Sequence, residues 1–289
     1  MNDRSVRRGA DGRLFLQHGP IDLIVEMFGR GAEVDEAYHQ AADCFHDVLN
    51  GLVAELPLLR RPLGAAYPMF QGHIAQAMAR AAWPHREDYV TPMVAVAGAV
   101  ADAVLAAAVA GRALEKGYVN NGGDIALYLS PDASLEAGVV ADVSQGALSG
   151  LVALHHHMPV RGIATSGWRG RSHSLGIADT VTVLADTAAQ ADGAATMIAN
   201  RVTIDHPGIA RQPANELDPD SDLGPQLVTV GVVDLPEGAR RAALLAGVDR
   251  ARGLLAMGII HGALLSVGDQ AATVGAYCGD GIEGKGQRL

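Results

Sequence analysis

The chain has 289 residues, a formal net charge of −10 and only 4% aromatic residues. This charge argues against a nucleic-acid binder, which needs clustered positive charge, and against binding to an anionic membrane surface. The two cysteines, Cys44 and Cys278, lack a CxxC spacing and indicate no disulfide framework. The polar stretch Met1–Gly12 is not followed by the apolar region of a signal peptide, so none is expected. We therefore expect a cytoplasmic protein with no nucleic-acid and no membrane partner.

The first predicted elements are a β-hairpin and two helices. Arg13–Gln17 and Ile21–Phe28 are apolar and β-leaning, and a His-Gly-Pro turn joins them. Ala32–Val53 has the apolar spacing of a helix. Pro57–Pro68 contains three prolines and is predicted to be irregular. Gln71–Trp83 is predicted to form a short helix.

A long apolar helix is predicted from Thr91-Pro92 to about Arg112. Threonine can cap a helix, and proline is tolerated at the first helical position. Asp102 interrupts the apolar run, which favours a buried core helix over a membrane span. Gly98 costs a helix about 1 kcal/mol relative to alanine. We therefore expect close packing, or a ligand against the backbone, at this glycine.

The second half of the chain is predicted to alternate strands with two further helices. The strands are predicted at Ile125–Leu129, Leu135–Val143, Leu151–His156, Gly162–Thr165, Thr180–Ala185, Val228–Val233 and Ile259–Val267. The helices are Ala188–Val202 and Pro236–Met257, with a loop at His206–Gly224 and a mobile tail at Gly279–Leu289. No repeat or composition shift marks a boundary. We therefore predict one domain over residues 1–289.

Asp192 and Thr196 form the first candidate site. Their spacing places both oxygens on one face of a helix, one turn apart. A carboxylate with a hydroxyl is a hard-oxygen pair suited to Mg²⁺. The alternative is a surface aspartate beside a threonine that bonds back to its own helix.

The turn from Asn120 to Asp124 is the second candidate site. Its two adjacent glycines allow the backbone to approach a nucleotide or flavin closely. The alternative is a strand-to-strand turn in which the glycines serve only the turn geometry.

The glycine-rich loop from Gly167 to His173 is the third candidate site. Arg169 and Arg171 are suited to binding a phosphate. His173 is suited to carrying a proton. The alternative is a solvated loop without a ligand.

Three motifs in one order resemble the ApbE superfamily, whose best-known members are Mg²⁺-dependent flavin transferases. The motifs are Val119–Asp124, Ala164–Gly167 and Ala191–Thr196. The resemblance implies an α+β fold with a mostly antiparallel sheet and packed helices. It implies Mg²⁺ ligands at Asp192 and Thr196, and implies that Asp102 matches an aspartate of the family's glycine-containing helix. It also implies a site for FAD or FMN formed by Asn121, Gly122, Gly123, Asp124, Thr165, Ser166 and Gly167.

The chain departs from the transferase pattern at two places. Ala97 stands before Gly98 where the transferases have lysine. Their His-x-x-Asp-Pro-x-x-Gly signature is absent, and His173 and Asp179 are its remnants. Thr91-Pro92-Met93 before the helix and Ser172–Gly176 resemble instead an uncharacterised, cytoplasmic branch of the superfamily.

The leading functional hypothesis is a flavin-binding protein with a cation site. Its reaction would be Mg²⁺-dependent cleavage of the FAD pyrophosphate or transfer of FMN to an acceptor flavoprotein, with His173, Arg169 and Arg171 as the catalytic residues. One alternative is a flavin-binding component of a reductase that acts on a small ring compound with a partner subunit. Another is a non-catalytic binding or assembly protein. In each case a homo-oligomer is expected.

Overall fold

The computed structural model describes residues 4–139, 150–170, 172–233 and 235–275, and these divide into two compact units. Unit 1 comprises Met1–Leu135, Leu154–Ala164 and Ala185–Gly193. Unit 2 comprises Glu136–Ala153, Thr165–Leu184 and Ala194–Leu289. The boundaries between the units therefore fall within single elements at several points of the chain.

Helices and antiparallel strands make up both units. The strands are β1 (Arg4–Arg8), β2 (Leu14–His18), β3 (Ile21–Gly29), β4 (Leu114–Asn121), β5 (Asp124–Leu129), β6 (Ser134–Val139), β7 (Gly150–His155), β8 (Gly162–Ser166), β9 (Thr180–Ala185), β10 (Ile209–Pro213), β11 (Leu227–Val232), β12 (Gly262–Val267) and β13 (Gln270–Val274). The helices are α1 (Gly31–Leu59), α2 (His73–Ala82), α3 (Val96–Val109), α4 (Ala188–Arg201), α5 (Ala214–Leu217) and α6 (Glu237–Ala256). The predicted α+β class is confirmed.

Unit 1 is an antiparallel meander covered by helices. Strands β1 to β5 lie in chain order, and each pairs with the next in antiparallel register. The start of β8 continues the sheet, because Ile125 pairs with Ile163 and Ala126 with Gly162. The antiparallel pairing of β2 with β3 confirms the predicted hairpin.

The core of unit 1 lies between this sheet and helices α1, α2 and α3. Phe45 of α1 and Met78 of α2 are fully buried there. Pro92–Val109 is long and apolar enough to span a membrane, and half of it is buried. Val100 and Val104 of α3 belong to the core cluster. The apolar side chains of α3 thus form part of the hydrophobic core of unit 1.

Unit 2 contains antiparallel strand pairs and the long helix α6. Strand β12 pairs with both β13 and β9, and β10 pairs with β11. Leu244, Val248 and Leu254 of α6 are buried. Helix α6 packs against strands β12 and β13.

Three sequence-based predictions need correction. Helix α1 runs through Pro57 to Leu59, because a proline in the last turn removes only one amide donor and Leu59 is fully buried. The predicted loop at His206–Gly224 contains strand β10 and the short helix α5. Strands β1 and β13 were not predicted, since β1 is exposed throughout and carries three arginines. The predicted mobile tail at 279–289 lies outside the described residues.

Candidate functional site

Gly98 marks the point where helix α3 meets the first turn of α4 within unit 1. A Cβ at Gly98 would overlap the backbone of Ala188, including its carbonyl oxygen, and the amide nitrogen of Ala189. Gly162 at the start of β8 approaches Thr187 and Ala188 in the same way. The expectation of close packing at Gly98 is therefore confirmed, and it explains a glycine inside an alanine-rich helix.

Asp102, one turn after Gly98, caps the start of α4. Its Oδ1 accepts the amide of Ala188 at 3.0 Å, and its Oδ2 accepts the amide of Ala189 at 2.9 Å. Burial raises the pKa of the Asp102 carboxyl, and these two hydrogen bonds oppose the shift. The next amides, of Gln190 and Ala191, donate to the hydroxyl and the carbonyl of Thr187 at 3.2 and 3.1 Å. The first four amides of α4 are thus satisfied by the protein.

Asp192 makes the reciprocal contact with the start of α3. Its Oδ2 accepts the amide of Gly98 at 3.0 Å, and the amide of Ala97 also hydrogen-bonds the carboxylate. Each helix therefore supplies a carboxylate that caps the other. Burial, followed by the nearby carboxylates of Asp124 and Asp102, raises the pKa of the Asp192 carboxyl well above its usual value. The amides of Gly98 and Ala97 oppose this shift, and a cation bound to Asp192 would oppose it as well.

The predicted turn lies beside this cluster. Gly122 and Gly123 form a two-residue loop between β4 and β5, with φ values of 66° and 114°. The Gly123 amide donates to Oδ1 of Asn120 at 2.8 Å. Asn121 Nδ2 donates to the carbonyl of Ala97 at 3.1 Å, which ties the turn to the start of α3. The φ of Gly123 favours glycine, and a Cβ there would meet nothing within 4 Å, so the outer side of the turn is open.

The structure thus brings five of the predicted residues together in unit 1. The Asp192 side chain is half-buried, and Asp124 lies close enough to raise the pKa of the Asp192 carboxyl. Asn121, Gly122 and Gly123 complete the group. Among the described residues, no set of three or more His, Cys, Asp or Glu side chains is arranged to hold a metal ion. A cation here would be bound by Asp192 and by oxygens that do not belong to a cage of carboxylates.

The remaining predicted residues lie in unit 2. The Thr196 hydroxyl donates to Ser166 Oγ at 3.4 Å. The hydroxyls of Thr165 and Thr182 are 2.8 Å apart. Gly167 packs against the carbonyl of Asp179 so closely that a Cβ would overlap it. Thr196 and Ser166 therefore belong to one hydroxyl pair of this unit.

The glycine-rich loop holds Arg169 in an ion pair. Its Nε lies 2.9 Å from Oδ1 of Asp179, and its guanidinium lies over the Trp168 ring at 4.4 Å from the centroid. Asp179 also accepts the amide of Gly268 at 2.6 Å through its other oxygen. His173 is half-buried, and Arg171 lies outside the described residues. The bond to Asp179 uses Nε alone and the Arg169 side chain is 46% exposed, which leaves its terminal guanidinium nitrogens for a phosphate.

Sequence reasoning missed the groups that hold Asp192. These are the amides of Ala97 and Gly98, at the unsatisfied start of α3. The available signal was the glycine inside an apolar helix, four residues before an aspartate, which suggested packing but not its partner. The partner is 94 residues further along the chain.

The chain belongs to the family described as AbpE bacteria, whose model matches residues 4–274. The UPF0280 protein of Methanopyrus kandleri is 37% identical over 159 residues, which cover 51% of this chain and 56% of that protein. The UPF0280 protein of Methanosphaerula palustris is 38% identical over 165 residues, which cover 56% of this chain and 65% of that protein. The matches thus span less than two thirds of these relatives. The predicted relationship to the uncharacterised branch is confirmed.

Two solved structures are similar to this chain over most of its length. The apo form of the Pseudomonas stutzeri flavinyl transferase ApbE has a TM-score of 0.44 at 11% identity, with 94% of each chain covered. The flavin transferase ApbE from Vibrio cholerae has a TM-score of 0.37 at 15% identity, with 94% of this chain and 96% of that chain covered.

Proposed function

We propose that this protein binds a flavin nucleotide together with one divalent cation at Asp192. The observation that carries the proposal is the position of the half-buried Asp192 carboxylate, which accepts the amide of Gly98 at 3.0 Å at the helix start that also holds Asn121. Burial and the carboxylates of Asp124 and Asp102 raise the pKa of Asp192. A bound cation would favour the ionised carboxylate and offset this unfavourable charge. The family membership supports the same interpretation.

The donor set fits Mg²⁺ held partly by its ligand. Mg²⁺ is commonly bound by one or two carboxylates plus the phosphates of a substrate, and keeps several waters. One half-buried carboxylate at Asp192, with no metal cage among the described residues, matches that pattern. The helical spacing adds the hydroxyl of Thr196 as the second proposed ligand. When bound, the cation would neutralise pyrophosphate charge and polarise a phosphoryl oxygen.

The flavin is proposed to lie against the turn of Asn121, Gly122, Gly123 and Asp124. The open outer side of Gly123 leaves the backbone accessible to a planar ring. Asn121 holds the turn to α3, whose first amides hold Asp192. The cation and the turn are therefore positioned by the same helix start.

We also propose a reaction, in which water or an acceptor hydroxyl attacks the FMN phosphorus of FAD. The new P–O bond replaces the pyrophosphate P–O bond, so AMP leaves and the product is free FMN or an FMN ester of the acceptor. Arg169 and Arg171 would bind the phosphates, and His173 would serve as the acid or base. Arg169 would offer its terminal nitrogens to the phosphate while Nε keeps the ion pair with Asp179. The acceptor in a transfer would be a threonine or serine of a partner flavoprotein.

The test is a titration of the purified protein with FAD, followed by flavin fluorescence, with Mg²⁺ and with EDTA. We expect FAD to bind at least tenfold more tightly with Mg²⁺, and Asp192→Asn to abolish that difference. Asp43→Asn is the matched control, because Asp43 is an exposed aspartate on α1. Chromatography of the same samples for FMN and AMP tests the proposed cleavage.

Two outcomes would contradict the proposal. Equal FAD affinity with Mg²⁺ and with EDTA would show that no cation takes part in FAD binding. It would favour the alternative of a flavin-binding component of a reductase. The absence of flavin binding under both conditions would favour a non-catalytic assembly protein.

A further inference from the structure

A cavity of about 590 Å³ opens in unit 1, on the part of α3 that follows Asp102. The end of α2, strand β5 and the first turn of α4 complete its wall. Its size falls within the range of small-molecule sites, which is about 300–1,000 Å³. The functional proposal above does not use this cavity.

Small side chains create the space. Ala77 and Ala81 of α2 face the cavity, and Ala106 of α3 faces it as well. Leu105 and Leu127 add apolar surface, and the ring of Tyr128 lines the wall. An apolar wall with an aromatic ring is suited to a flat, apolar ligand.

Two of the charged lining residues are already fixed by other contacts. The guanidinium of Arg161 donates to the carbonyls of Met158, Val160 and His156, each at 2.7 Å. Asp102 uses both oxygens on the start of α4. Asp186, also in the lining, has an interaction partner of its own. These groups therefore hold the cavity's shape without a ligand.

Arg80 is different. It lines the cavity from the last turn of α2, is exposed, and forms no hydrogen bond or ion pair with any residue that the structure describes. Its guanidinium is a charged donor available at the rim of a preformed apolar cavity. An anion there would gain a charge-assisted hydrogen bond.

We propose that this cavity binds an aromatic monoanion, with its ring against the alanines and its negative group on Arg80. The cavity shares Asp102 with the proposed cation site, and both oxygens of Asp102 are already used on the start of α4. Arg161 and Asp102 are held by other contacts before binding, so these two groups need little reorganisation.

The test uses 8-anilinonaphthalene-1-sulfonate, an aromatic monoanion whose fluorescence rises in apolar surroundings. We expect Arg80→Ala to weaken its binding about fivefold. Ala106→Phe places a bulky ring in the cavity and should weaken binding by about tenfold or more. Arg241→Ala is the matched control, since Arg241 is an exposed arginine on α6, and its affinity should stay within about twofold of wild type.

A second probe keeps the test decisive if Ala106→Phe does not fold. Neutral N-phenyl-1-naphthylamine has the same rings without the sulfonate. Its affinity should be unchanged by Arg80→Ala. The proposal is overturned if wild type and Arg80→Ala bind the sulfonate equally, or if a folded Ala106→Phe variant binds it normally.

Discussion

The amide of Gly98 donates a hydrogen bond of 3.0 Å to Oδ2 of Asp192. The opposite bond runs from the amide of Ala188 to Asp102, also at 3.0 Å. Helices α3 and α4 therefore cap each other's first turns, and Gly98 allows the close approach that both bonds need. The same contacts that join the helices also fix the position of the candidate metal ligand.

Gly98→Ala should destabilise the protein by about 1–3 kcal/mol, because the added methyl would overlap the backbone of Ala188. The measurement is the free energy of unfolding from urea denaturation. Gly51→Ala is the matched control, because a Cβ at this helical glycine of α1 would meet nothing within 4 Å. It should stabilise by about 0.5–1 kcal/mol. A similar effect of both variants would contradict the packing argument.

Asp192→Asn should change how stability depends on pH. The pKa of Asp192 is raised in the folded state by burial and by Asp124 and Asp102. Such a carboxyl contributes stability that is fully present below its unfolded pKa and is lost as pH rises through the folded pKa. In EDTA, the variant should therefore gain stability relative to wild type between pH 4.5 and 7.5, by about 1 kcal/mol.

Urea denaturation of both proteins at the two pH values provides that comparison. Asp43→Asn should show no such gain, since Asp43 is exposed. A pH-independent difference between wild type and Asp192→Asn would mean that the carboxylate carries no unfavourable charge.

The turn at Gly122 and Gly123 should tolerate substitution unequally. Gly122 has φ of 66°, which asparagine adopts readily, whereas Gly123 has φ of 114°, which side chains rarely adopt. Gly123→Ala should cost about 1–2 kcal/mol of stability, and Gly122→Asn about half of that or less. Thermal unfolding of the two variants checks the order. Equal losses would show that contacts of the side chain, and not backbone conformation, decide the effect.

Local patterns predicted most of the secondary structure. The apolar stripe of α4, with Ala191, Ala195 and Ile198, is fully buried or nearly so, as its helical spacing required. Helix α1 extended past Pro57 because burial of Leu59 outweighs one missing hydrogen bond. The short β10 and α5 could not be predicted, since their polar and proline-rich sequence resembles a loop.

The site was only partly predictable for a different reason. The residues Asp192 and Asp124 were identified from motif and spacing, but their mutual approach depends on tertiary structure. The caps between α3 and α4 join residues 86 and 94 positions apart, and no local pattern records such a pair. By contrast, the ion pair of Arg169 joins it to Asp179, which lies only ten positions further along the chain.

The most direct test of the cation site is to count bound Mn²⁺ by electron paramagnetic resonance in the presence of FAD. Mn²⁺ prefers the same oxygen ligands as Mg²⁺. Its electron paramagnetic resonance signal measures the concentration of unbound Mn²⁺. We expect about one Mn²⁺ per chain in the wild type and none in Asp192→Asn. Equal Mn²⁺ binding by the two proteins would contradict a cation at Asp192.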